Sequence, residues 1–160
     1  MEKEILINDY SLKRLSRKVL FLVASKMPFV PGKYRALIFS WGGVNFENPL
    51  KCFIGKNVYF DDLHPSLISV GKNTIITEGT RVLSHFLDVN YNDFDHQYLG
   101  KVFIGRNVFI GMNTVIVKPV NIGEGAIIGA NSVIIKDISP YSIWGGNPAI
   151  FIKKREITKN

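Results

Sequence analysis

Three histidines, His64, His85 and His96, and one cysteine, Cys52, are the side chains of this 160-residue chain that ordinarily titrate nearest neutral pH. A neutral imidazole can take the proton of a hydroxyl or amine as that group attacks a carbonyl. A thiolate can make the attack itself. Cys52, however, stands in Lys51-Cys52-Phe53-Ile54-Gly55 at the start of a repeat. There a small buried thiol is the expected reading and a nucleophile the minor one. A single cysteine leaves neither an internal disulfide nor a multi-cysteine zinc site, which fits a reducing compartment. Polar groups gather between Phe86 and Lys101, where Asp88, Asn90, Asn92, Asp93 and Asp95 surround His96 and follow His85. A second acidic pair, Asp61 and Asp62, closes Tyr59-Phe60-Asp61-Asp62.

The elements that must carry these groups are legible as a period. Every sixth residue from Ile104 is isoleucine: Ile104, Ile110, Ile116, Ile122, Ile128 and Ile134. The next position is mostly glycine, and the fourth (Asn107, Asn113, Pro119, Gly125, Asn131, Asp137) is rich in residues that tolerate turns or left-handed backbone. A helical or plain alternating period gives no such pattern; a short strand and a corner, repeated every six residues, does. The isoleucines must then stack inward, with each coil laid on the one below as parallel strands. Earlier coils start at Ile54 and Val70, the latter running on through Ile76 and Val82. The period fails from Val82 to Ile104, so residues 86–101 form an excursion loop, where binding chemistry tends to sit.

The expected organisation is an N-terminal helical cap over residues 1–49, a β-helix over 50–139 and a C-terminal extension over 140–160. In the first of these, Leu12, Leu15, Val19, Leu22 and Val23 share one helical face, and Lys13, Arg14, Arg17 and Lys18 form a basic strip. The preferred expectation is a cap over the first coil; the alternative is peripheral contact with an anionic membrane. The apolar run from Val19 to Ala24 is too short to span a bilayer, and Lys26-Met27-Pro28 follow where a secretory cleavage site would stand, so the expected location is cytoplasmic, at most at the inner face of the membrane. The net charge of +7 attracts polyanions, but no nucleic-acid-binding motif accompanies it.

The Ile-Gly hexads, followed by Lys136-Asp137-Ile138-Ser139-Pro140-Tyr141 and Gly145-Gly146-Asn147-Pro148-Ala149, resemble the hexapeptide-repeat acyltransferases over residues 50–155. The branch holding maltose, galactoside and surface-polysaccharide O-acetyltransferases is the most similar. The resemblance implies a mainly β fold, a left-handed parallel β-helix, and a homotrimer with active sites between subunits. It also implies acetyl-CoA as donor, with no metal. The implied reaction is direct transfer to a sugar hydroxyl, with N-acetylation of an amino sugar or acetylation of an antibiotic as alternatives.

Leu83-Ser84-His85-Phe86-Leu87-Asp88 is similar to the segment that carries the family's catalytic base, which makes His85 the candidate. Asp88 is the candidate to fix its tautomer, and a backbone N–H or the Ser84 hydroxyl to hold the oxyanion. Gly111 and Ala130 match backbone that lines the pantetheine arm, and Lys136 and Lys153 match basic residues near the CoA phosphates. Asp61, Asp62 and Asp88 are acceptor-binding candidates, a corner carboxylate in water being the default for Asp61 and Asp62. Phe109 replaces the family's common Trp, and Ile150 a basic residue of some relatives. A zinc-dependent carbonic anhydrase on the same coil is disfavoured by the spacing of the three histidines; a non-catalytic scaffold is the remaining class.

Overall fold

The computed structural model describes residues 12–87 and 97–156, except the side chains of Lys13 and Arg14. Asp88 and His96 therefore lie outside the described residues, as do Asp93 and Asp95. Two helices, α1 (Leu12–Lys26) and α2 (Gly32–Trp41), precede a run of two- and three-residue strands.

The strands fall on three faces of a left-handed parallel β-helix. The first face stacks 45–46, 68–70, 102–104 and 121–122; the second 53–54, 75–76, 109–110, 127–128 and 142–145; the third 59–60, 81–82, 115–116 and 133–134. Pairing is parallel throughout except where Ile150–Lys154 folds back antiparallel on Ser142–Gly145. The prism thus begins at Asn45, inside the segment expected to be cap, and continues past Ser139 into the expected extension. Its axis is filled by the residues that the six-residue period marks: Ile54, Ile76, Ile104, Ile110, Ile116, Ile122, Ile128 and Ile134 are all fully buried. Each contributes about 1.5–3 kcal/mol of transfer free energy against the entropy of ordering it.

Two of the three corners turn alike. Between the first and second faces the backbone is left-handed at Asn73, Asn107, Gly125 and Tyr141, and between the second and third at Asn57, Gly79, Asn113 and Asn131. The third corner, from third face back to first, has no positive-φ residue among those described, and its fourth-position residues are Pro119 and Asp137. This corner is also where the period breaks. Ile104 pairs with Ile122, 18 residues on, but Val70 pairs with Ile104, 34 residues on, so sixteen residues leave the coil after Val82. Phe60 pairs with Val82, 22 residues on, so four more leave it between Asp61 and Leu67. Both insertions stand at the same corner in adjacent coils.

α1 packs on the prism, but not by the face expected. Phe21 and Ala24 are buried, Phe21 against Phe39 with ring centroids 5.0 Å apart, and the Ser25 carbonyl accepts from the Asn57 N–H at 2.9 Å. Leu12, Leu15, Val19 and Leu22 are exposed. The short side of the helix, not its leucine stripe, meets the first coil, because Phe39 and Phe60 already fill that end of the core and leave room for one ring. Among the described residues no helix is long and apolar enough to cross a membrane.

Candidate active site

The third corner brings together residues 24 positions apart. Asp61 directly follows the third-face strand of its coil, and its N–H donates to the Val82 carbonyl at 2.9 Å. It therefore lies one coil below the start of the excursion. Ser84 and His85 open that excursion, whose base is a hairpin pairing His85–Leu87 with Gln97–Leu99, with Phe86 stacked on Tyr98 at 5.2 Å. The hairpin is seated on the next coil: Gly100 lies so close to Pro119 that an added Cβ would come within 2.7 Å of it.

At this junction the Asp61 carboxylate is completely buried and saturated with donors. Oδ2 accepts from His85 Nδ1 at 2.5 Å, from Ser84 Oγ at 2.7 Å and from the Ser84 N–H at 3.1 Å, while Oδ1 accepts from the Leu63 N–H at 3.1 Å. Asp61 is therefore not a corner carboxylate in water. Burial pushes its carboxyl up, but the hydrogen bonds from His85 and Ser84, the charge of His85 and the Leu63 N–H outweigh that and hold it down at about 2. In return the hydrogen bond to Asp61 raises the His85 imidazole above its ordinary 6.5, against the opposing effect of burial, with further support from the charges of Asp61 and Asp62. The His85 side chain is 24% exposed while that of Asp61 is sealed, so the pair presents one face of an imidazole to solvent. With Nδ1–H committed to Asp61, Nε2 is the nitrogen left to accept a proton.

Two expectations are altered here. The Ser84 hydroxyl is buried and donates to Asp61, so it is not aimed at an oxyanion. The orienting carboxylate found on His85 is Asp61. Asp62, half-buried, accepts from Tyr59 Oη at 2.9 Å; burial and this contact push the Tyr59 hydroxyl up to about 12. His64 stands in the four-residue insertion of the same corner. Cys52 is buried at the first corner, its thiol pushed up chiefly by burial, as a packed side chain. Among the described residues no group of three or more His, Cys, Asp or Glu side chains could hold a metal.

The residues expected along the donor lie elsewhere. Gly111 and Ala130 stack on each other at the second corner, where a Cβ on Gly111 would meet the Ala130 nitrogen at 2.5 Å. Lys136 is at the third corner, two coils beyond His85, with Nζ 5.3 Å from the centroid of the Trp144 ring. Lys153 is exposed on the terminal antiparallel strand.

Residues 101–136 match the family model described as bacterial transferase hexapeptide (six repeats). YvoF of Bacillus subtilis (strain 168), which carries an acetyltransferase name, is 34% identical over 91% of this chain and 80% of its own length. The chain belongs to the hexapeptide-repeat acetyltransferases. Solved structures share the fold of this acetyltransferase at lower identity. A hexapeptide-repeat acetyltransferase of Vibrio cholerae O1 biovar eltor, complexed with acetyl-CoA, superposes with a TM-score of 0.68 at 22% identity, over 91% of this chain and 88% of that one. A maltose O-acetyltransferase of Clostridium difficile 630 gives 0.61 at 23% identity, over 91% and 87%.

Proposed function

We propose that this acetyltransferase moves an acetyl group from acetyl-CoA directly to a sugar hydroxyl, with His85 as general base and Asp61 as its positioning residue. The observation that carries the reading is the 2.5 Å contact between His85 Nδ1 and a carboxylate with no solvent exposure. A hydroxyl is a poor nucleophile until its proton is removed. As the acceptor oxygen forms its bond to the thioester carbonyl, its proton passes to Nε2, and Asp61 stabilises the imidazolium that results. Collapse of the tetrahedral adduct breaks the carbon–sulfur bond, and the imidazolium returns the proton to the departing thiolate. Asp61 stays ionised throughout, consistent with a carboxyl held at about 2. The names of the Vibrio and Clostridium neighbours support acetyl-CoA as donor and a saccharide as acceptor. A surface polysaccharide or its precursor is the acceptor class we favour.

The donor site in this reading is formed between copies. Gly111 and Ala130 stand at the second corner and His85 at the third, one face apart, or roughly 20 Å for six extended residues. A second copy is the economical way to bring a thioester lying along one corner to an imidazole at another. The second face offers the surface for it: its outward row runs Phe53, Ile75, Phe109, Ile127 and Ile143, whereas the first face shows Asn45, Ser69, Phe103 and Asn121. We take the assembly to be a homotrimer, with Lys136 and Lys153 as candidate partners of the CoA phosphates.

The test is acetyl transfer from acetyl-CoA to a panel of hydroxyl- and amino-sugar acceptors by wild type and His85→Ala. Turnover should fall by about 10²- to 10⁴-fold with CoA affinity nearly retained. A variant with wild-type turnover would overturn the proposal, and transfer confined to amines would redirect it to N-acetylation.

A further inference from the structure

The leucine stripe of α1 has no partner in the fold. Leu12 is 85% exposed, Leu15 60%, Val19 54% and Leu22 60%. Their spacing of three, four and three residues sets them on one side of the helix, opposite Phe21 and Ala24, which make its contact with the prism. A stripe of this kind on an otherwise packed helix marks a surface that is covered in use. Its chemistry is set by the charges of the same helix. The segment from Leu12 to Lys26 carries Lys13, Arg14, Arg17, Lys18 and Lys26 and no carboxylate.

We infer that α1 is a docking surface for an anionic lipid bilayer, with Leu12, Leu15, Val19 and Leu22 entering the boundary between headgroups and acyl chains and Lys18 at the rim. Charge decides between this occupant and a second copy of the chain. Two such helices face to face would set five positive charges against five, in a protein whose net charge is already +7. A bilayer containing anionic lipid attracts each of them and accepts the leucines. Trp41 at the end of α2, 66% exposed, is an aromatic of the type that settles at headgroup depth.

The position of α1 gives the docking a purpose. One pocket beside the helix, about 210 Å³, is lined by Lys18 and Leu22 together with Tyr59 and Asp62. Another, about 320 Å³, is lined by Arg17 and Leu20 together with Leu63, His64 and Pro65. The helix thus lies along the insertion that carries Asp61. A bilayer on its outer side would bring a lipid-borne acceptor to the edge where His85 opens, a consequence that rests on the acyl-transfer reading; the docking does not.

The experiment is co-sedimentation of the full chain, without acetyl-CoA, with vesicles of phosphatidylcholine alone or mixed with phosphatidylglycerol. Binding is expected to the mixed vesicles and to weaken as salt rises. Leu15→Gln with Val19→Gln, and separately Lys18→Glu, should each lower the bound fraction about tenfold, with turnover on a soluble acceptor unchanged. These side chains are exposed, so the variants should keep the wild-type melting temperature; the lipid and salt dependence of the wild type stands without them. Equal binding to both vesicle types, variants that bind like wild type, or a change of oligomeric state in the double variant would each overturn the inference. Loss of vesicle binding with soluble turnover intact, and the converse, separate the failure of this inference from that of the reaction.

Discussion

The third corner and the other two are built from the same repeat and solve the same geometric problem in different ways. At the first and second corners a left-handed residue turns the chain in the fewest possible residues, and consecutive coils touch there: a Cβ on Gly55, Gly71, Gly105 or Gly111 would come within 2.7 Å of the backbone of the next coil. Such a corner has no room to vary. The third corner turns without left-handed residues among those described, and it is the one that admits sixteen extra residues in one coil and four in the coil beneath. Rigidity on two edges is what lets the remaining edge carry irregular chain and a buried carboxylate without loss of register.

The comparison can be broken first at the loose corner. Asp61→Asn leaves the volume almost unchanged, but its amide can donate to His85 Nδ1 and select the tautomer whose Nε2 carries a proton, the wrong one for a base. We expect turnover to fall by about 10²-fold or more with the coil intact by circular dichroism. The same variant tests the direction of the His85 shift. Because the imidazole is raised above 6.5 and acts when neutral, wild-type kcat/KM should climb with pH along an acid limb centred above 6.5. Removing the carboxylate should move the limb of the residual activity to lower pH. A limb unmoved in Asp61→Asn would mean that another group titrates there.

At the tight corners the effect should be on stability. Gly111→Val must push the Ala130 backbone, 2.5 Å from the added Cβ, away from its coil, and we expect a loss of about 3 kcal/mol in denaturant unfolding. A smaller contrast sharpens the point. Asn113→Ala forces alanine into a φ of 56° and should cost about 1 kcal/mol, whereas Lys118→Ala in the third corner should stay within about 0.5 kcal/mol of wild type. Equal costs at the two corners would remove the distinction.

The prism was legible because its signal is strictly periodic. Ile104 to Ile134 identify the interior, and the left-handed turns fall at Asn107, Asn113, Gly125 and Asn131, four of the six positions where the sequence offers turn residues. Pro119 and Asp137, the two exceptions, were the available hint that every third corner differs. His85 was legible only as a resemblance to a family segment. Its bond to Asp61 was not, because the pairing crosses a coil with its own insertion. Counting from Phe60 to Val70 instead of assuming six residues would have put Asp61 under Ser84 and His85. The outward turn of the α1 leucines was illegible for another reason: periodicity identifies a face but not what lies against it, and here Phe21 alone outbids four aliphatics for the space beside Phe39.

The 18-residue register has a bearing on how such molecules can grow. A whole turn of chain added beyond Ile122 would return each strand to its own face and leave the Asp61–His85 pair undisturbed. A partial turn would rotate everything above it by a third of a circle. Length in this architecture is a free variable in units of one turn, so relatives of very different size can keep one chemistry at one height.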